Sequence, residues 1–96
     1  MSSSTPRRGA LIGCGFVSQF HLAGWRGVPE ARLVALCDLD RERLERAGVL
    51  VPEARRYRDA NALFTEVPLD FVEICTRPES HPDLVALAAR HGVHVL

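Results

Sequence analysis

Short apolar runs alternate along the chain with longer segments in which apolar side chains recur at helical spacing. The runs have the length of buried strands. The run at 32–37 is almost continuously apolar, as expected where helices cover both faces of a sheet. Strands that alternate with helices are typical of βαβ units and of a parallel sheet. The pattern therefore predicts an α/β fold with about five strands, at residues 9–12, 32–37, 54–57, 70–75 and 93–96.

Helices are predicted between these strands by apolar spacing and by residues that begin or end a helix. Asp59 and Ser80 stand where a side chain can accept a hydrogen bond from a first helical turn, and Pro82 suits such a turn. Gly48 and Gly92 stand where helices are expected to end. The longer helices are predicted over residues 16–27, 40–47 and 80–91, and a short one follows Asp59.

The 96 residues carry twelve acidic and twelve basic side chains, so the formal net charge is zero. This balance argues against nucleic acid and an anionic membrane as partners. The length suits one domain, and we expect a disordered tail over residues 1–7 and a domain over 8–96. The first apolar stretch is too short for a signal peptide, so a cytoplasmic protein is expected.

Three cysteines, Cys14, Cys37 and Cys75, lie at the ends of predicted strands. Their odd number and wide spacing argue against a disulfide framework and against a zinc site, so we expect reduced thiols and no bound metal. A further hypothesis is that these thiols are sensitive to oxidation. Packing rather than chemistry is expected for His21, Trp25 and His94.

A glycine-rich turn follows the first predicted strand and leads into a predicted helix. The segment Gly13-Cys14-Gly15-Phe16-Val17-Ser18 has the form G-x-G-x-x-S, in which Gly13 permits a tight turn and Gly15 lets the backbone approach a pyrophosphate. The N–H groups that begin the helix, around Phe16 and Val17, then favour a phosphate. Any tight connection from a strand to a helix can use such glycines, so the turn alone does not establish nucleotide binding.

Asp38, at the end of the second predicted strand, supplies the other half of a dinucleotide site. It lies 23 positions after Gly15, close to the spacing of about 20 at which a carboxylate reaches the adenosine ribose. Its charge would repel a 2′-phosphate, so NAD is preferred over NADP. Arg41 and Arg43 qualify this preference, since either could meet a 2′-phosphate or form surface ion pairs instead. The sequence therefore predicts a Rossmann-type doubly wound sheet, with strand order 3-2-1-4-5, that binds a dinucleotide.

With these features the chain resembles the Gfo/Idh/MocA family of NAD(P)-dependent oxidoreductases. The resemblance passes through Leu11-Ile12-Gly13-Cys14-Gly15, Leu33-Val34-Ala35-Leu36-Cys37-Asp38, Asp70-Phe71-Val72-Glu73-Ile74-Cys75-Thr76 and His91-Gly92-Val93-His94-Val95-Leu96. It implies that Thr76, Pro78 and His81 lie near the nicotinamide end of the cofactor. His81 could exchange protons there, or only close the helix that it begins. Arg77 stands where the family usually has proline, and could contact an oxygen of a ligand or face solvent.

The resemblance also implies a reaction, which is hydride transfer between a nicotinamide cofactor and a hydroxyl or carbonyl group of a sugar, polyol or similar substrate. Family members continue into a Glu-Lys-Pro motif, whose lysine assists proton transfer, and into a substrate-binding domain. Every basic residue of this chain is arginine. We therefore expect the nucleotide-binding domain of such an enzyme, with no catalytic residue of its own and no turnover by itself. Its fifth strand is expected to be open to pairing with another copy.

Two other functions remain open from the sequence. One is a non-catalytic nucleotide-binding or interaction module. The other is an S-adenosylmethionine-binding domain, because methyltransferases also combine a glycine-rich first turn with an acidic residue after the second strand. The residues Thr76, His81 and His94 fit the oxidoreductase family and argue against the second alternative.

Overall fold

The computed structural model describes residues 6–15, 24–25 and 27–96. The strands within these residues are β1 (Arg7–Ile12), β2 (Ala31–Cys37), β3 (Arg55–Tyr57), β4 (Phe71–Ile74) and β5 (His94–Val95). All pair in parallel and form one sheet in the order β3-β2-β1-β4-β5. This order confirms the predicted Rossmann-type topology. The strands β2 and β3 lie on one side of β1, and the chain then crosses over to form β4 and β5 on the other side.

The helices whose ends the structure describes are α1 (Arg41–Leu50), α2 (Ala60–Glu66) and α3 (His81–Arg90), and a 3₁₀ turn (Pro78–Ser80) precedes α3. Gly24 and Trp25 are also helical, whereas residues 16–23 and 26 of the first predicted helix lie outside the described residues. In the described part of the chain, no helix is long and apolar enough to cross a membrane.

Helices cover both faces of the sheet because successive side chains of a strand point to opposite sides. On β1, Ala10 and Ile12 belong to the core that contains Leu63 of α2 and Leu87 of α3. Leu11, between them, belongs to the opposite core, which contains buried residues of α1. This arrangement explains why the strands read as apolar runs rather than as an alternation of apolar and polar residues.

The first strand begins earlier than the sequence pattern indicates. Arg7 pairs with Ala31 of β2, so Arg7 belongs to the sheet and not to the expected tail over residues 1–7. Residues 1–5 lie outside the described part of the chain. Both β4 and β5 are shorter than predicted, although each lies within its predicted range.

Gly48 does not end α1, and the expectation that it would was wrong. The residue is buried, and a Cβ atom at this position would lie 2.2 Å from Nε of Arg56 on β3. The glycine therefore permits close contact between α1 and the neighbouring strand. Because it keeps helical backbone geometry, α1 continues to Leu50.

The helix caps agree with the sequence analysis at Asp59 and Gly92 but not at Ser80. The Asp59 carboxylate accepts a hydrogen bond from a first-turn N–H of α2 at 3.0 Å. Gly92 has a φ of +69° directly after the C-cap of α3. Ser80 precedes α3, but its side chain makes no capping hydrogen bond. The predicted N-cap hydrogen bond of Ser80 is therefore wrong, because the Ser80 hydroxyl bonds back to Thr76 and Arg77.

Glu73 interrupts the apolar run of β4, and it accepts a hydrogen bond from Trp25. The indole Nε1 donates to Oε1 of Glu73 at 2.9 Å, and the indole stacks on Phe71 with ring centroids 5.0 Å apart. Trp25 thus packs as predicted. His94 lies on the edge strand β5 and is exposed, so the expectation that it packs was wrong. His21 lies outside the described residues.

Candidate functional site

The carboxyl ends of β1, β2 and β4 meet at one edge of the sheet and open into a cleft of about 800 Å³. A crevice is expected there, because β2 and β4 lie on opposite sides of β1 and the chain changes direction at this point of the sheet. The predicted site residues Gly13, Gly15, Asp38 and Thr76 all line this cleft. Other described lining residues are Leu39, Asp40, Arg43, Arg58, Arg77 and Ser80.

Gly13 occupies a position that no other residue type fits. Its φ is +99°, and its N–H donates to the carbonyl oxygen of Cys37 at 2.8 Å. A Cβ atom would lie 2.6 Å from the carbonyl carbon of Cys75. The positive φ and the close approach both exclude a side chain. The end of β1 is therefore held tightly between the ends of β2 and β4.

Gly15 lines the cleft. It is half-buried, and among the described residues no atom lies within 4 Å of a Cβ atom added to it. A ligand can therefore approach the backbone here, which is the geometry expected for the second glycine of a pyrophosphate-binding turn. Phe16 and Val17, whose N–H groups are predicted to bind phosphate, lie outside the described residues.

The carboxylate of Asp38 is held by two backbone N–H groups. Its Oδ2 accepts from Cys14 at 2.7 Å, and its Oδ1 accepts from Asp40 at 2.8 Å. Each carboxylate oxygen has about two acceptor positions, so each can accept one further hydrogen bond. Two neighbouring hydroxyl groups, such as those of a ribose, are suitable donors for this pair of oxygens.

Two arginines line the cleft beside Asp38. Arg43 lies on α1, and its Nε is 3.9 Å from Oδ2 of Asp40, the N-cap residue of that helix. Arg58 follows β3, and its Nε and Nη2 donate to the carbonyl oxygen of Leu39 at 3.3 and 3.2 Å. Arg41 lines a separate groove on α1. Arg58 was not among the site residues predicted from the sequence. The one available signal was its place at the end of a strand expected beside β2.

The loop after β4 is held by hydrogen bonds within itself. Thr76 lines the cleft, and its Oγ1 lies 2.7 Å from Oγ of Ser80. Nε2 of His81 lies 2.9 Å from the carbonyl oxygen of Thr76. Because a carbonyl only accepts, that ring nitrogen carries the proton of this hydrogen bond. Arg77 also lines the cleft, whereas Pro78 and His81 do not belong to its described lining.

The three cysteines are free thiols at the carboxyl ends of β1, β2 and β4. Burial, followed by the charge of Asp38, raises the pKa of Cys14 and of Cys37 to about 12. Burial also raises the pKa of Cys75, which is half-buried. A thiol reacts as its thiolate, so these shifts argue against the hypothesis of oxidation-sensitive cysteines. Among the described residues, no group of three or more histidine, cysteine, aspartate or glutamate side chains could hold a metal ion.

Known proteins share both the sequence and the fold of this chain. The D-apiose dehydrogenase of Paraburkholderia graminis is 54% identical over 86 residues, which are 90% of this chain and 23% of that protein. The D-apiose dehydrogenase of Rhizobium rhizogenes is 45% identical over 89 residues, which are 93% of this chain and 26% of that protein.

A solved structure has the same architecture. An oxidoreductase from Agrobacterium radiobacter, in complex with NAD+, L-tartaric acid and magnesium, superposes with a TM-score of 0.91 at 44% identity. The superposition covers 95% of this chain and 27% of the other. The chain thus spans about a quarter of the length of the proteins that it matches.

The profile of an oxidoreductase family with an NAD-binding Rossmann fold, the Gfo/Idh/MocA family, matches residues 7–96. This range covers all five strands of the sheet and the described residues that line the cleft. The chain therefore belongs to the Gfo/Idh/MocA oxidoreductase family, and its sheet is the NAD-binding Rossmann fold of that family.

Proposed function

We propose that NAD binds along the carboxyl edge of the sheet. Its pyrophosphate lies against the backbone of Gly15, on the side where glycine has no Cβ atom, and its adenosine ribose donates two hydroxyl hydrogen bonds to Asp38. The nicotinamide half extends past β1 toward Thr76. The observation that carries this proposal is the order along one cleft: Asp38 after β2, Gly15 after β1 and Thr76 after β4.

The remaining cofactor contacts in the proposal come from the sequence. The N–H groups of Phe16 and Val17, at the start of the first predicted helix, would bind the phosphates. The family resemblance would place Pro78 and His81 near the nicotinamide. His81 would act there through the loop, because its Nε2 is used by the carbonyl oxygen of Thr76.

We further propose that the whole protein is an NAD-dependent dehydrogenase of sugars or polyols. In such a reaction a hydride passes from the carbon that bears the hydroxyl to the nicotinamide, the hydroxyl proton passes to a base, and a carbonyl forms. The two relatives named as D-apiose dehydrogenases support a sugar substrate. All basic residues here are arginine, so the lysine that assists proton transfer in the family is not among these 96 residues.

We also propose that the protein is cytoplasmic and that it pairs with a second copy of itself. Three free thiols, two of them buried, suit the reducing cytoplasm. In the described sheet β5 is an edge strand, and its exposed Val95 supports pairing with a second copy of the chain. A monomer mass in light scattering would contradict this pairing.

Calorimetric titration with NAD, NADP and S-adenosylmethionine tests the proposed function. NAD is expected to bind most tightly, because Asp38 offers two acceptors to a ribose and repels a 2′-phosphate. Preferential binding of S-adenosylmethionine would support a methyltransferase-like domain instead. No binding of any of the three would favour an interaction module.

A matched pair of variants shows whether the ribose contact is responsible. Asp38 and Asp70 each accept a hydrogen bond from a backbone N–H at 2.7 Å. Asp70 accepts from Arg8, at the amino ends of β1 and β4, away from the cleft. Asp38→Ala is expected to weaken NAD binding about tenfold or more, since charge-assisted hydrogen bonds are lost. Asp70→Ala should leave the Kd within about twofold. Equal losses in the two variants would assign the effect to stability rather than to the ribose.

A further inference from the structure

Thr76, Arg77 and Ser80 form a short chain of hydrogen bonds whose direction is set by a group that can only accept. Oγ of Ser80 lies 2.7 Å from Oγ1 of Thr76 and 2.8 Å from the carbonyl oxygen of Arg77. A hydroxyl has one proton and a carbonyl has none, so the Ser80 proton goes to Arg77. The bond between the two hydroxyls then uses the Thr76 proton. The 3.4 Å contact from Thr76 Oγ1 to the same carbonyl would also keep that proton inside the loop.

The backbone around Thr76 is held at the same time. His81 places Nε2 2.9 Å from the carbonyl oxygen of Thr76. The preceding residue, Cys75, donates its N–H to Ile12 of β1 at 2.7 Å. The side chain of Thr76 therefore has a determined orientation before any ligand arrives, and a ligand contact with it does not require the loop to reorganise.

Thr76 can offer only a lone pair to the cleft, because its own proton is used within the loop. The ligand group that faces it must therefore be a donor. On the nicotinamide ring the donor is the N–H of the carboxamide. We propose that Oγ1 of Thr76 accepts a hydrogen bond from this carboxamide, and that Ser80 is a positioning residue that keeps the Thr76 proton out of the cleft. This inference rests on the proposed function, which places the nicotinamide half of NAD on this side of β1.

The contact has a consequence for the reaction. With NAD bound, Thr76 would hold the carboxamide at its N–H group and would thereby limit rotation of the nicotinamide ring about its bond to the ribose. Thr76 is thus expected to contribute to the orientation of hydride transfer as well as to affinity.

Two analogues of NAD separate the carboxamide N–H from the rest of the cofactor. In 3-acetylpyridine adenine dinucleotide a methyl group replaces the amide nitrogen, whereas in thionicotinamide adenine dinucleotide the N–H group remains and sulfur replaces oxygen. We expect the thio analogue to bind within about twofold of NAD. The acetyl analogue should bind about three- to tenfold more weakly, as expected for the loss of one neutral hydrogen bond.

Variants locate this difference at Thr76. Thr76→Val removes the acceptor and is expected to bring the ratio of the two Kd values, acetyl analogue to NAD, to about one. Ser80→Ala releases the Thr76 proton and should lower the ratio, and Ser80→Thr should restore it. Thr65→Val is the matched control, because the Thr65 hydroxyl donates to Asn61 within α2 at 2.8 Å, outside the cleft lining.

The outcomes distinguish the carboxamide contact from NAD binding as a whole. Equal binding of NAD and the acetyl analogue by the unaltered protein would overturn the inference and leave the proposed function standing. A ratio that persists in Thr76→Val would do the same. If Thr76 instead accepts from a ribose hydroxyl, Thr76→Val weakens all three dinucleotides equally, which also contradicts the carboxamide contact. Failure to bind NAD at all would overturn both proposals. The ratio is taken within each variant, so a general loss of stability does not imitate the expected result.

Discussion

The backbone N–H of Cys14 donates to Oδ2 of Asp38 at 2.7 Å, across 24 positions of the sequence. The middle residue of the glycine turn is therefore bound to the carboxylate that we assign to the ribose. The other oxygen of Asp38 is held by Asp40 at 2.8 Å, so the carboxylate has little freedom to rotate. The proposed pyrophosphate and ribose contacts thus belong to one rigid unit at the ends of β1 and β2.

Gly13 and Gly15 are expected to fail in different ways when changed to alanine. Gly13→Ala should lower the free energy of unfolding by about 2 kcal/mol or more, because a Cβ meets the Cys75 backbone at a positive φ. Gly15→Ala should change it by less than about 1 kcal/mol, since its Cβ enters open space. The same Cβ stands where the pyrophosphate approaches, so NAD affinity should fall about tenfold. Urea denaturation and calorimetry separate the two effects, and unchanged NAD binding by Gly15→Ala would place the pyrophosphate elsewhere.

Cofactor choice is expected to depend on the balance between Asp38 and Arg58. Asp38→Ser removes the charge that repels a 2′-phosphate and leaves Arg58 in the cleft, so the affinity for NADP relative to NAD should rise about tenfold. Adding Arg58→Gln to that variant should reverse most of the gain. Arg55→Gln is its matched control, because Arg55 pairs with Glu66 at 3.2 Å outside the cleft lining. A gain in NADP binding that does not depend on Arg58 would contradict this role.

Stability is expected to fall above pH 9 because two thiols have raised pKa values. Cys14 and Cys37 titrate at about 12 in the folded chain and near 9.0 when unfolded. Well below pH 9 both states hold these protons, and as the pH rises through 9 toward 12 the unfolded chain loses them first. The free energy of unfolding should therefore fall by up to about 1.4 kcal/mol per pH unit for each thiol. Urea denaturation between pH 8 and pH 10 in the presence of a reductant measures the slope. Cys14→Ala with Cys37→Ala should reduce it to the contribution of Cys75, whose pKa is also raised.

The carboxylate of Glu73 is expected to stabilise the fold as the hydrogen-bond acceptor of the Trp25 indole. Glu73→Gln keeps an oxygen for the indole, so it should cost less than Glu73→Leu. Glu73→Leu makes β4 fully apolar but leaves the indole N–H without this acceptor, and should cost about 1 to 3 kcal/mol. Denaturation followed by fluorescence of Trp25, the one tryptophan in the chain, reports both values. A Glu73→Leu variant as stable as the parent would contradict the structural role of this bond.

The chain by itself is expected to bind NAD without reducing it. A dehydrogenation needs a group that takes the hydroxyl proton, and the lysine implied by the family is absent from these 96 residues. Formation of NADH, followed by its absorbance, should therefore be undetectable with sugars and polyols. Detectable turnover with any of these substrates would show that this chain contains a sufficient proton acceptor.

The local signals in the sequence led to correct predictions at positions that only one residue type can occupy. Gly13 was predicted from its place between a strand and a helix, and its φ of +99° requires glycine. The signals failed where a residue type has several uses. Gly48 permits contact with Arg56 and does not end α1, and the Ser80 hydroxyl bonds the preceding loop rather than capping α3. In both cases the deciding contact involves a residue that lies outside the helix concerned.

The order of strands and helices follows from the pattern of apolar residues along the chain, and with it the edge of the sheet at which Gly15, Asp38 and Thr76 meet. Parallel strands place their carboxyl ends together, so residues that follow them share a site without any knowledge of distances. Only the tertiary structure placed Arg58 beside Asp38. It alone also decided the direction of the hydrogen bonds through Thr76, because direction depends on which groups lie within about 3 Å of one another.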